Sequence, residues 1–143
     1  MPEVVRSVVV GFSPAQMFAL VDAVEDYPGF LPWCGATTLI YRDETVTRAT
    51  IQISFRGIKQ NFTTENSKRA PEEILMRLVE GPFRLLEGGW RFTALGDRGC
   101  KIAFHLHYEF SSKLLEKLVG PVFNHIASTM VEAFVRRAGQ IYV

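Results

Sequence analysis

The chain has 143 residues, 48% of them hydrophobic and 22% charged, with a net charge of +1. Those totals fit one globular domain with a sizeable core, taken as residues 1–143. They exclude a disordered chain and a protein drawn to nucleic acid or anionic membrane by its overall charge, so no DNA partner is expected. The two cysteines, Cys34 and Cys100, make neither a C-x-x-C pair nor a disulfide framework and read as free buried thiols. The N-terminal MPEVVRSVVVGF lacks the parts of a signal peptide, and no run approaches the ~18 apolar residues of a membrane span. The expected location is the cytoplasm, or the periphery of the inner membrane.

Taken in order, the chain opens with a β-branched strand over residues 4–10, stopped by Gly11-Phe12-Ser13-Pro14. Ser13 is a helix N-cap, Pro14 fits the first helical position, and Gln16 stands where a capping box needs it. The short helix that follows ends between Asp22 and Glu25. Tyr27-Pro28-Gly29-Phe30-Leu31-Pro32-Trp33-Cys34-Gly35 is rich in breakers yet also in aromatics. It reads as a second short helical turn and a loop packed down as a cap on something apolar.

A meander of strands follows. Residues 37–42 are strand-like. Thr47, Ala49, Ile51, Ile53 and Phe55 alternate with polar partners, the pattern of a half-buried strand. Beyond the Arg56-Gly57 turn, Ile58, Gln60, Phe62 and Thr64 form an inner set. Residues 74–80 and 84–95 give two more strands, with Trp90 and Phe92 on one face and Gly88-Gly89 as an expected bulge. A hairpin turn at residues 96–99 leads to the last strand, 101–110. There Ile102, Phe104, Leu106, Tyr108 and Phe110 face one way and Ala103, His105, His107 and Glu109 the other.

Residues 112–138 read as one long amphipathic helix with an apolar face covering roughly half its circumference. Pro121 lacks a donor and crowds the carbonyl of Lys117, so a kink or restart is expected at Gly120-Pro121, with the first turns free to act as a gate. The order is strand, two short helical pieces, six strands and a long helix, an α+β class with the helix against one sheet face.

These residues resemble those of the START-like superfamily, also called the helix-grip or polyketide cyclase/dehydrase type. The likeness runs along the whole chain. It is carried by Tyr27-Pro28-Gly29-Phe30-Leu31-Pro32-Trp33-Cys34, Phe62-Thr63-Thr64-Glu65-Asn66, Gly81-Pro82-Phe83-Arg84 with Trp90-Arg91-Phe92, Gly120-Pro121-Val122-Phe123, and Ala133-Phe134-Val135-Arg136-Arg137-Ala138. Within the superfamily the chain is similar to the branch holding the coenzyme-Q-binding proteins and the RatA-type ribosome association toxins. The resemblance implies a START/Bet v1-like fold, a curved antiparallel sheet of about seven strands around the C-terminal helix, with a deep hydrophobic cavity between them. In the respiratory members that cavity is thought to hold a polyprenyl quinone without chemistry. The toxin-like members are described as acting on the large (50S) ribosomal subunit and blocking formation of 70S particles.

On that frame, Tyr27, Phe30, Trp33, Phe62, Trp90, Phe92 and Phe104, with Phe123, Ile126 and Met130 of the helix, are candidate cavity-lining residues. Each taken singly also fits as plain core. Tyr27 and Trp33 carry polar tips that could meet a head-group oxygen. Arg48, Arg56, Lys59, Lys68 and Arg69, together with Lys113 and Lys117, are candidate contacts for ribosomal RNA or acidic lipid head groups, against the alternative of a solvated face balanced by Glu65, Glu72 and Glu73. His105-x-His107-x-Glu109 has metal-like spacing but lies opposite Phe104, so no metal is assigned. Cys34 has no neighbouring base, and no catalytic constellation assembles. Three functions follow in order. The first is a carrier or chaperone binding ubiquinone or another polyprenyl lipid, with no required cofactor. The second is a RatA-type factor that binds the 50S subunit, and the third a cyclase or dehydratase.

Overall fold

The computed structural model describes residues 3–97 and 99–142. Arg98, in the hairpin turn expected at 96–99, lies outside the described residues. The elements are β1 (Glu3–Val10), α1 (Pro14–Asp22), a 3-10 turn (Val24–Gly29), β2 (Cys34–Arg42), β3 (Val46–Phe55), β4 (Ile58–Arg69), β5 (Glu73–Glu80), β6 (Phe83–Leu95), β7 (Gly99–Phe110) and α2 (Lys113–Ile141).

All strand pairs are antiparallel, in the order β1-β7-β6-β5-β4-β3-β2. The first two strands therefore sit on opposite edges. The chain between them, α1 and the 3-10 turn, has to cross the full width of the sheet. α1 starts where the sequence says it should: Ser13 Oγ accepts from Gln16 N and Gln16 Oε1 accepts from Ser13 N, a complete capping box. It buries Met17, Phe18, Leu20 and Val21.

Strand alternation sets the core. On β7, Ile102, Phe104, Leu106, Tyr108 and Phe110 are buried while His105 is exposed. Helix α2 covers this inner face with Val119, Val122, Phe123, Ile126, Ala127, Val131, Phe134 and Ala138. Ser112 caps α2 by accepting from Leu115 N.

Three expectations are corrected. The Gly88-Gly89 pair is not a bulge. Gly88 pairs with Leu106 and Gly89 with His105 in an unbroken ladder, and the register shift falls between Phe83 and Leu85. Glycine is required there by close approach, since a Cβ on Gly88 would lie 2.3 Å from the His105 carbonyl oxygen and one on Gly89 2.9 Å from that of Ile74. Second, α2 does not restart at Pro121 but continues through it to Ile141. The missing donor costs the helix one bond, and packing of Val119, Val122 and Phe123 on both sides outweighs it. Third, by length and composition α2 is long and apolar enough to cross a membrane, although here its buried face packs on the sheet.

Candidate functional site

Between α2 and the inner face of the sheet lies an apolar cavity of about 60 Å³. Strands β3 to β7 supply its floor, α2 its roof, and the end of α1 with the 3-10 turn one end wall. Of the residues expected to line it, Tyr27, Trp33, Phe62, Trp90, Phe104, Phe123, Ile126 and Met130 do so. Phe30 and Phe92 do not. Phe30 packs outside, its ring 5.5 Å from Phe134 and capped by the Arg137 guanidinium at 5.2 Å. Phe92 stands behind Trp90, wedged against Phe18.

The polar tips behave differently from expectation. The Tyr27 hydroxyl donates to the Val21 carbonyl and is spent on holding the 3-10 turn to α1. Burial, then the nearby Asp22 carboxylate, pushes that phenol far above its usual range. Trp33 lines both the cavity and a separate surface groove beside Phe55 and His125, so its indole is the partition between the two. The Phe55 and His125 rings stack 5.8 Å apart across that groove and tie the β3–β4 hairpin to α2.

The end wall is held by charge. Asp22, at the last turn of α1, accepts from Thr47 Oγ1 at 2.8 Å and from Lys68 Nζ at 3.1 Å. Arg42 donates to the Asp22 carbonyl at 2.7 Å and forks the Glu25 carboxylate with two bonds of 2.7 Å. One carboxylate thus joins α1 to β3 and β4, and Arg42 adds β2. These hydrogen bonds from Arg42 hold the Glu25 carboxyl down at about 2. A depressed carboxylate adds stability above its unfolded value and loses it as pH falls through the folded one. Glu25 is nearly half exposed, so the effect on stability is small. Its titration is the cleaner readout. Carboxyl NMR should find a Glu25 midpoint near 2, and Arg42→Gln should return it towards 4.5. An unshifted wild-type midpoint would dissolve the fork.

Lys68 is the sequence-predicted surface residue that the fold relocates. Its side chain is 4% exposed and points inward to Asp22, so it belongs to no surface patch. Arg48 pairs with Glu65 and Arg69 with Glu73. Among the described residues Arg56 and Lys59 carry no ion pair. Both stand at or beside the β3–β4 turn. In this antiparallel order the turns after β3, β5 and β7 share one end of the sheet, which brings Lys113 and Lys117 of α2 to the same end.

Cys34 and Cys100 are free and buried, and burial pushes the Cys34 thiol up to about 11, away from nucleophile chemistry. Glu109 of the His105-His107-Glu109 run is engaged by Arg84. The lining residues that sequence reading missed are mostly aliphatic, such as Ile51, Ile74 and Leu106, with two polar exceptions, Thr64 and Asn66. The two-residue period running on from Phe62 was the available signal for both.

A long helix laid across a seven-stranded antiparallel sheet, with an apolar cavity between, defines the helix-grip class of ligand-cavity folds. Solved structures agree. An aromatase/cyclase from Streptomyces superposes with a TM-score of 0.82 at 14% identity, covering 99% of this chain and 96% of that one. An 18 kDa protein from Caulobacter crescentus is 30% identical with a TM-score of 0.74, covering 99% of both chains. The chain belongs to the family described as "Polyketide cyclase / dehydrase and lipid transport", which it matches over residues 10–135. Within it, a Vibrio cholerae protein named ribosome association toxin RatA is 45% identical over 99% of both chains. Its Escherichia coli namesake is 42% identical over 99% of this chain and 90% of that protein. The mitochondrial coenzyme Q-binding protein COQ10 homolog B of Xenopus laevis is 33% identical, covering 96% of this chain and 58% of that one.

Proposed function

We propose that this protein is a ribosome-associating factor that acts in the cytoplasm and hinders joining of the subunits through its surface. The observation that supports this most is the 45% identity, over 99% of both chains, to a protein named ribosome association toxin. The surface agrees with it. Arg56 and Lys59, at the β3–β4 turn, carry no ion pair among the described residues and lie at the sheet end from which Lys113 and Lys117 start α2, and exposed cations suit contacts to RNA phosphates.

Purified protein added to separated subunits should lower the yield of 70S particles on sucrose gradients. Arg56→Glu with Lys59→Glu should weaken that effect by about tenfold or more and flatten its salt dependence, as lost phosphate contacts do. Full activity in the double variant would remove this turn from the interface. No effect of the wild type on 70S yield would remove the function.

A second reading, binding of a hydrophobic small molecule, is supported by the cavity itself. Its lining is almost wholly apolar and its position is that of a ligand site. Its volume of about 60 Å³ is well under the ~300–1,000 Å³ of sites for drug-sized ligands. A polyprenyl quinone therefore requires α2 or the Tyr27–Trp33 segment to move outward. The two readings are compatible, since one uses the surface and the other the interior. Cyclase or dehydratase chemistry gains no support from the cavity, where no base, acid and oxyanion donor converge.

A further inference from the structure

One polar group in the cavity is out of place. Asn66 lies on β4 with Oδ1 fully buried and without a hydrogen-bond partner among the described residues. The residue is 9% exposed and lines the cavity. Thr64, two positions earlier on the same face of the strand and 5% exposed, lines it too. Almost every buried acceptor in a folded protein finds a donor, because one left without a partner loses its bond to water and gains nothing back. Three neighbouring inward polar groups obey that rule: Thr47 donates to Asp22, Lys68 donates to Asp22, and the Tyr27 hydroxyl donates to Val21; the other exception, Arg42 Nε, lies in the ion-paired end wall and does not line the cavity. Asn66 stands among them in the cavity lining, its Oδ1 carrying no bond.

We propose that Asn66, with Thr64 beside it, is the recognition point for a hydrogen-bond donor on an otherwise apolar ligand, so that the cavity selects a hydroxyl-bearing molecule of the phenol or hydroquinone class over its donor-less counterpart. This rests on the second reading above, that the cavity takes a hydrophobic small molecule. The specificity follows from the asymmetry of buried polar groups. A ligand hydroxyl satisfies Oδ1, whereas an ether or hydrocarbon of the same shape leaves it empty and also keeps water away from it.

The test uses a matched pair of single-ring probes, phenol and anisole, titrated against the full chain. Fluorescence of Trp33 and Trp90, both in the cavity wall, reports binding. The phenol is expected to bind about tenfold tighter or more, and Asn66→Leu should erase the difference. In the wild type, the phenol and not the anisole should shift the side-chain amide resonances of Asn66, a readout that needs no variant. Equal binding of the two probes, or a phenol preference that survives Asn66→Leu, overturns the recognition point while leaving the apolar cavity standing. Binding of neither probe removes the cavity reading, and the recognition point goes with it.

Discussion

Asp22→Ala is expected to destabilise the protein by about 3–5 kcal/mol, the range found when one partner of a buried ion pair is removed. The reason is what the substitution leaves behind. The Lys68 side chain is 4% exposed, and its ammonium group has no other ion-pair partner among the described residues once Asp22 is gone. Thr47, which is fully buried, loses its acceptor at the same time. Urea unfolding should show the midpoint fall with little change in slope. The paired substitution Asp22→Leu with Lys68→Met separates the two contributions to the loss. If burying a lone charge is the main cost, the double variant should recover most of the stability. A double variant as weak as Asp22→Ala would show that the tie between α1 and the sheet matters more than the stranded charge. Either outcome is informative against a total stability of about 5–15 kcal/mol for a domain of this kind.

Trp90→Ala is expected to cost about 3–5 kcal/mol as well, by a different route. Trp90 is 2% exposed, and its ring centre lies 4.6 Å from Phe104 and 5.4 Å from Phe134. It therefore joins β6 and β7 to α2. Removing the indole enlarges a cavity that already exists, so the walls have less reason to collapse and the cost should fall at the upper end. The same enlargement should admit larger apolar molecules. Adding a hydrophobic dye should restore part of the lost stability in Trp90→Ala and little in the wild type, since a ligand that binds only the folded state stabilises it. A change under about 1 kcal/mol would mean that the neighbouring rings close over the gap.

Much of this fold was legible because strand and helix periods are strong signals when one face is buried. The alternation on β3 and β7 identified the inner residues, and the Ser13 cap located the start of α1. The misreadings share a cause. Gly88-Gly89 looks the same in sequence whether a bulge or a close backbone approach requires it, and only the neighbouring strand decides. Phe30 and Phe92 are aromatic and well buried or half-buried, so composition could not tell a cavity wall from the layer behind it. Asn66 was missed and Lys68 was placed on the surface because inward polar residues break the apolar alternation. Their partners are distant or absent: Asp22 lies far earlier in the chain, and Asn66 Oδ1 has none. Polar positions in a core are justified by three-dimensional neighbours, which spacing along the chain does not reveal.

The strand order also governs when the fold can exist. β1 pairs only with β7, from Glu3 against His107 to Val10 against Cys100. The strands from β2 to β6 each meet the next in sequence and can zip as hairpins while the chain is still being synthesised. Of the seven strands, β1 is thus made first and paired last, waiting with its β-branched edge open until β7 has been made. Such long-range closure slows folding and leaves a sticky segment exposed in the interval. α2 follows β7 directly, so truncation within α2 should leave the paired sheet with no roof.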